Sequence, residues 1–468
     1  MKERTEPLVS WHMIPTIFIL AWPTMLEQLT QTAVQYVDTA MVGSLGTQAT
    51  AAVGSTTTIN WLISGTLSAL GVGFLSTIAR SFGAQEPEKA RRTAAQSVLM
   101  VLIAGIFFTA LTLGLSPLVP SLMQVDPAIR TMAATYFFIL YIPTLPRAAM
   151  LIFGTILRAA GDTKTPMQVG LAVNLINIVL NFLLIYPSQT VELWGYTVYI
   201  PGAGLGVTGA AIASAASVAA GGLYITIAFW YHPLISPKGY NLLPEWNILR
   251  PCLKIALPNM LQRFSTYLGY VIFAAMINSL GEISAAAHTI ANTVESAFYI
   301  PGYGMQAAAS TLAGNAMGSQ DFQRMRGLTK TITVIEGILM TVSGGLLFLF
   351  APEMMRIFSD TPEVIDLGST VLRMVAVSEP FFGIAIILEG VLLGVGDTVR
   401  PFCYNIIGMW GVRILGTYLC TQLFGMGLIS AWTCMISHNL LLFAMFLVYC
   451  LFSKKSPFNP ILTKHSIV

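Results

Sequence analysis

Apolar stretches of 20 or more residues recur along the whole chain, roughly at 13–41, 49–79, 92–118, 126–157, 166–186, 205–231, 249–278, 285–313, 328–351, 363–393, 400–423 and 428–452. Each is long enough to cross a bilayer as a helix. The runs are continuous rather than alternating, which excludes the short strands of a barrel and leaves helices as the spanning elements. Only 10% of the residues are charged and 55% are hydrophobic. A soluble domain carries about 25% charged residues. The sequence therefore predicts an all-α membrane protein with twelve transmembrane helices. Residues 1–12 are polar and the first span is long, so no cleaved signal peptide is expected.

A second feature divides the twelve. Under one constant shift, the sequence falls on itself without a gap over a long distance. Pro23 meets Pro258, "SLG" at 44–46 meets "SLG" at 279–281, Gly83 and Gln85 meet Gly318 and Gln320, and "GDT" at 161–163 meets "GDT" at 396–398. After the fifth span the shift becomes smaller, with "GLG" at 204–206 on "GMG" at 425–427. The first half thus holds an insertion around "SQTVELWGYTVYIPGA". Six helices per half is an even number, so both halves keep the same orientation. They form two six-helix bundles related by a pseudo-two-fold axis along the membrane normal. The expected division is 1–231, a cytoplasmic linker at 232–250, and 251–468.

Lys and Arg fix the orientation. With the N-terminus inside, most of the 24 basic residues fall on the cytoplasmic side. They include Lys2, Arg4, Arg80, Arg91, Arg92, Arg158, Arg250, Arg326, Arg400, Lys454, Lys455 and Lys464. Only Arg130 and Arg356 sit near opposite loops. The expected protein is multi-pass in the plasma (inner) membrane, with both termini cytoplasmic. The five cysteines show no CxxC or Cys/His spacing, so neither a metal site nor a disulfide framework is suggested. There is no GxxxxGK[ST], HExxH or GxSxG, so ATP does not drive the protein directly and it is not expected to be an enzyme. "GLGVTG" at 204–209 opens a helix without a preceding strand and reads as close helix packing. The two "GDT" triplets read as helix capping.

Several stretches together carry a resemblance. "AWPTMLEQ" and "VDTAMVGSLG" stand in the first span, "FGAQEPEKARR" after the second, "RAAGDTKTP" between the fourth and fifth, and "NLINIVLN" in the fifth. "ESAFYIPGYGMQAAASTLAGNAMGSQ" and "GVGDTVRP" stand in the second half. Over nearly its whole length the chain resembles the multidrug and toxic-compound extrusion (MATE) family, close to its bacterial multidrug-efflux members. The resemblance implies a cation-coupled antiporter that exchanges inward H⁺ or Na⁺ for outward organic, often cationic or amphiphilic, compounds. No cofactor other than the coupling ion and no nucleic-acid partner is implied, and a monomer in the lipid bilayer is expected. A flippase or exporter of a lipid-linked or polar precursor is the alternative, because related carriers share the plan. A basic cavity would favour it, and Arg147, Arg263 and Arg373 lie in spans.

Asp38 is the leading candidate for the coupling site. A charge inside a span costs about 2.5–3.5 kcal/mol on insertion scales and normally faces a bundle interior with a task to perform. Glu27 lies about three turns earlier on the same face, with Gln28, Gln31 and Gln35 between. Asn174, Asn177 and Asn181 share one face of the fifth span by their spacing of three and four. Amide oxygens suit Na⁺, a hard cation, so a Na⁺ at Asp38 and Asn177 is a candidate. In the family, this amide face lines the first-half cavity beside the aspartate. Glu27 reads equally as a structural hydrogen-bonding residue. In the second half Phe273 replaces the acid. Thr266 and Phe382 stand where some members have acids, so a Na⁺ site of that kind is not expected there. Arg413 lies mid-span and needs a counter-ion, which Glu295 or Glu379 at similar depth would supply. Glu389, near the cytoplasmic end, is expected to see water. Pro23 stands about four helical turns before Asp38. It removes a backbone hydrogen bond there and is the candidate hinge.

Overall fold

The computed structural model describes residues 11–123, 125–193, 196–453, 456 and 458. Lys2, Arg4, Lys454, Lys455 and Lys464, and with them the expectation for the two termini, lie outside the described residues. The first half comprises α1 (Ile14–Gly43), α2 (Thr47–Gly83), α3 (Pro87–Leu115), the single turn α4 (Val119–Leu122), α5 (Arg130–Tyr141), α6 (Thr144–Ala159), α7 (Lys164–Ile185) and α8 (Gly206–Trp230). The second comprises α9 (Trp246–Asn278), α10 (Glu282–Gly318), α11 (Phe322–Arg356), α12 (Pro362–Val395), α13 (Val399–Ile406), α14 (Leu415–Tyr418) and α15 (Leu428–Phe452). π-helical stretches at Ile407–Ile414 and Leu419–Leu423 join α13 and α14 into one continuous run.

Two expectations are refined. The fourth span is broken: α5 and α6 meet at 51°. The break falls at Pro143, with Pro146 in the following turn, where missing N–H groups interrupt the helical ladder. The insertion of the first half folds as an antiparallel hairpin, β1 (Pro187–Leu193) and β2 (Tyr196–Ala203), with Thr190 opposite Tyr199. Among the described residues seven helices are long and apolar enough to cross a membrane alone, eight with the bent pair. The other expected spans coincide with α1, α9, α10 and the run from Val399 to Leu423, whose interior polar residues dilute them.

The backbone repeats the sequence register. Gly46 and Gly281 have φ of 111° and 106°, Gly161 and Gly396 have 85° and 87°, and Gln85 and Gln320 have 59° and 56°. Each pair is related by the shift that carries Pro23 onto Pro258. Gly204 and Gly425, at 64° and 63°, follow the smaller shift. Positive φ strains any residue with a Cβ, so finding it at both glutamines marks a turn that both halves require.

Contacts between the halves are reciprocal. A Cβ on Gly83 would stand 1.9 Å from the Asn315 carbonyl oxygen, and one on Gly318 would stand 1.9 Å from that of Arg80. The pairs exchange under the repeat shift, as contacts across a two-fold axis must. The axis therefore passes between α2 and α10 at the end rich in basic residues. The first helix of each half also crosses over. Ile17, Leu20 and Ala21 of α1 enter a core with α10, α11 and α12, while Leu249, Cys252 and Ala256 of α9 enter the core of the first half. At the opposite end no heavy atom lies within 4 Å of a Cβ built on Gly46, Gly54 or Gly281.

The segment joining the halves is strapped to the first. Gln96 donates to the carbonyls of Asn241 and Leu243 (3.1 and 2.9 Å) and accepts from the Glu245 N–H (2.9 Å). Arg92 pairs with Glu245 at 2.5 Å, and Arg91 binds the carbonyls of Pro233 and Leu234. "GDT" caps as expected in the first half: Asp162 accepts from the Thr165 N–H (3.0 Å) and hydroxyl (2.6 Å). It also faces His232 Nε2 at 3.5 Å. Burial alone would raise the Asp162 carboxyl, but the hydrogen bonds from His232 and Thr165 outweigh it and hold the group at about 2. Close helix packing at "GLGVTG" is present too. A Cβ on Gly209 would meet the Leu184 carbonyl oxygen at 2.4 Å.

Candidate functional site

Asp38 projects from the C-terminal half of α1 toward α7 and is half-buried. Asn181 Nδ2 donates to its Oδ1 at 2.7 Å. Hydrogen bonds to an ionised acceptor are short and strong, and this one has that length. Asn177, one turn back on α7, reaches the same carboxylate through its side-chain amide. With the nitrogen toward Asp38, it donates to Oδ1 at 2.8 Å and Oδ2 at 3.1 Å while its oxygen accepts from Ser214 Oγ at 3.1 Å.

Both Asn177 and Asn181 are buried, at 5% and 1% exposure, so these contacts are shielded from water. Asn181 Oδ1 has no partner among the described residues. The carboxylate and the free Asn181 oxygen are hard donors of the kind that fits H⁺ or Na⁺. Asn174 stands one turn further along, half-buried, without a side-chain hydrogen bond among the described residues. Gln31 and Gln35 are exposed, and they continue the polar stripe away from the carboxylate.

Glu27 has a different fate. Its Oε2 pairs with Arg158 at 2.7 Å, and Gly170 makes room for it, since a Cβ there would lie 3.1 Å from Glu27 Cγ. Arg158 is itself held across the halves, its carbonyl accepting from Thr311 (3.2 Å). Pro23 lies buried within an unbroken α1, beside Met25, which packs on Gly304 of α10. Tyr36, nearer the C-terminal end of α1, crosses to α10, donating to the Thr293 carbonyl at 3.1 Å.

The second half departs from the sequence-based pairing. Arg413 forms no ion pair with Glu295 or Glu379 among the described residues. Its guanidinium lies over the rings of Phe273 (4.2 Å) and Tyr270 (4.9 Å) instead. Glu295 and Glu379 are buried, and Glu379 Oε2 has no partner among the described residues. Glu389 does not reach open water. It is gripped by Gln262 Nε2 at 2.5 Å and Gln306 Nε2 at 3.4 Å. Phe382 packs edge-on against Tyr299.

Two residues of the interior escape the sequence reading. Glu336 of α11 is fully buried with both carboxylate oxygens unpartnered among the described residues, wedged where Gly302 and Gly383 lack side chains. A lone acid inside the span 328–351 is the available signal. Tyr136 of α5 is buried within electrostatic reach of both Asp38 and Arg147. Arg147 in turn donates to Asn60 Oδ1 at 3.0 Å, as does the Tyr141 hydroxyl.

A sequence profile of the MatE family matches residues 23–183 and, a second time, residues 258–419. The chain belongs to the MatE family. The two matched stretches begin at Pro23 and Pro258, in register with the repeat. MATE proteins are multi-pass membrane transporters rather than enzymes, and they use no cofactor. This MATE chain is 27% identical over 418 residues to a probable multidrug resistance protein NorM of Thermotoga maritima, covering 89% of this chain and 88% of that one. Its fold is similar to crystal structures of MATE in a bent and in a straight conformation. Each has a TM-score of 0.83 at 23% identity and covers 93% of this chain and 94% of the other. The membrane-spanning, all-helical MATE fold is thereby established for this chain.

Proposed function

We propose that this MATE transporter is a secondary antiporter that exports organic cations and amphiphiles, exchanging them for inward H⁺ or Na⁺, with Asp38 as the coupling carboxylate. Relatives named as multidrug resistance proteins support the substrate class. The observation that carries the coupling role is the half-buried carboxylate of α1 held by two buried amides of α7, Asn181 and Asn177. An ionised Asp38 draws the Asn177 nitrogen and leaves Ser214 donating to the amide oxygen. A protonated Asp38 needs an acceptor for its O–H, which a turn of the Asn177 amide would supply. Na⁺ bound there would draw the same oxygen inward. One uptake event thus changes a bond between α1 and α7.

The halves, 1–231 and 251–468 with the linker 232–250, are the moving bodies in this reading. With the basic end and both termini cytoplasmic, the reciprocal glycine contacts seal that side and the molecule faces outward. Pro23 lets α1 bend once the Asp38 bonds change, because a helix hinges where its hydrogen-bond ladder is interrupted. Asn174, Gln31 and Gln35 line the approach to Asp38, and Glu27 with Arg158 closes its inner end. Transport of a lipid-linked precursor has weaker support. Arg373 faces outward over Phe348, and Arg147 is engaged by Asn60.

The test is proton release on ligand binding. Purified protein titrated with ethidium in weakly buffered detergent solution should release protons or Na⁺ as the dye binds, and Asp38→Asn should bind dye without release. Equal release from the variant would remove Asp38 from the coupling step.

A further inference from the structure

Arg373 lies within the span of α12, yet it is exposed. Charged residues in spans almost always face the bundle interior or water. The interior face of α12 carries Glu379 and Ile386, both buried. Arg373 leaves the helix from the other side, in one stripe with Val377, Pro380 and Ile384. It has no ion pair among the described residues, and neither Asp366 of α12 nor Glu353 of α11 is within ion-pair distance of it. The guanidinium leans on α11 instead. Its Nε donates to the Phe348 carbonyl at 3.4 Å, and its carbon lies 5.8 Å from the centroid of that ring. Both Nη groups are left without a partner among the described residues.

Further along the same seam, α11 and α12 part to form an apolar groove of about 400 Å³, lined by Gly337, Ile338, Thr341, Val342, Pro380 and Ile384. Its one hydroxyl donor on this face, Thr341, bonds back to the Gly337 carbonyl at 2.6 Å. Two glycines hold the seam open. A Cβ on Gly337 would reach Ile384 Cδ1 at 3.7 Å, and no heavy atom lies within 4 Å of a Cβ built on Gly345. Gly345 stands one turn from Phe348 and one turn from Thr341, so it joins the arginine to the groove. From Arg373 to Ile384 is about 16 Å along the helix axis. That is the depth of one leaflet, half of a hydrocarbon core about 30 Å thick. The lipid-facing side of the second half therefore offers a cation at one end and an apolar channel of leaflet length below it.

We propose that this seam binds an anionic diacyl phospholipid, its phosphate on the Nη groups of Arg373 and one acyl chain in the groove beside Gly337. A planar guanidinium grips phosphate through two parallel N–H bonds. Inorganic phosphate would satisfy the arginine and leave the groove unfilled. A lipid of zero net charge would fill the groove, but its own headgroup cation competes for the phosphate. The site lies on the outside of the second half, so it stands apart from the role of Asp38.

The test uses full-length protein, delipidated in a neutral detergent and followed by thermal unfolding at constant ionic strength. Dioleoyl phosphatidylglycerol, dioleoyl phosphatidylcholine and inorganic phosphate are added separately. Phosphatidylglycerol should raise the midpoint saturably, by about 2 °C or more beyond phosphatidylcholine, and phosphate should leave it unchanged. In Arg373→Gln the phosphatidylglycerol curve should fall onto that of phosphatidylcholine. Arg373→Lys keeps the charge without the fork, and should keep the preference while needing about tenfold more lipid, the loss of one charge-assisted hydrogen bond. Gly345→Leu puts a better helix former into open space, so it should fold. Its side chain obstructs the seam with Arg373 intact, and it should weaken both lipids. Equal midpoints with the two lipids in wild type would overturn the proposal. So would a preference unchanged in Arg373→Gln, lipid effects unchanged in Gly345→Leu, or a shift that phosphate alone reproduces.

Discussion

The Arg413 guanidinium carbon lies 4.2 Å from the centroid of Phe273, the residue that occupies in the second half the position Asp38 occupies in the first. The same scaffold position thus faces a pair of amides in one half and a cation in the other. The repeat conserves backbone geometry closely at its turns, yet the interiors differ in sign. Only the first half presents a titratable group to its neighbouring helix at this position.

Loss of the Phe273 ring should be costly. Phe273→Ala should destabilise by about 3–5 kcal/mol, as large-to-small core changes do. Phe273→Leu keeps most of the apolar volume but removes the face beneath the guanidinium, and should cost about 1–2 kcal/mol. Thermal unfolding in detergent measures both. A leucine variant as stable as wild type would mean that Arg413 draws nothing from the ring.

The amides on α7 should rank by their contact with Asp38. Asn181→Ala and Asn177→Ala should each lower gradient-driven efflux about tenfold, the equivalent of one charge-assisted hydrogen bond. Asn174→Ala, without a bond to the carboxylate, should change it less than about twofold. Initial efflux rates from vesicles of matched protein content decide it, and equal losses in all three would reduce the face to packing.

The reciprocal glycines should act as a pair. An alanine methyl at Gly83 or Gly318 cannot fit 1.9 Å from a carbonyl oxygen. Either variant should spread the basic ends of α2 and α10 and shift the population away from this conformation. Spin labels on the two helix ends should report the same lengthening for Gly83→Ala and Gly318→Ala. Unchanged distances in both would show the contact to be incidental.

The turn at Asp162 offers a prediction in pH. The folded carboxyl titrates at about 2, below the unfolded value of about 3.9. A depressed acid contributes stability that is full above the unfolded value and is lost as pH falls through the folded one. Asp162→Asn should therefore be less stable by about 1–2 kcal/mol at pH 6, allowing for the solvent that reaches the pair. The gap should close as pH drops from 4 toward 2. A gap that persists at the acid end would assign the loss to packing rather than charge.

Much of the architecture is legible in the sequence because it rests on period and offset. The shift that carries Pro23 onto Pro258 places the turns at Gly46 and Gly281 and at Gln85 and Gln320, and its shortening after the fifth span locates the extra hairpin. The break between α5 and α6 is signalled only by Pro143 and Pro146, which do not announce an angle. At the site, spacing alone puts Asn177 and Asn181 on one face. Their facing Asp38 follows from the family resemblance. Depth along a span says nothing about rotation around it, which is why sequence depth pairs Arg413 with Glu295 or Glu379. Arg413 stands in the π stretch Ile407–Ile414 and lies over Phe273, and no residue type in that stretch marks a π turn. Glu389 departs from expectation for the same reason, being near an end in sequence but turned inward onto Gln262.

The most direct test of the coupling account is ethidium efflux in inside-out membrane vesicles under an imposed pH gradient and, separately, an imposed Na⁺ gradient. Wild-type protein should move ethidium faster under at least one gradient than under neither. Asp38→Asn, inserted at the same level, should transport at the gradient-free rate under both. A variant that responds to either gradient as wild type does would contradict the assignment of Asp38 as the coupling carboxylate.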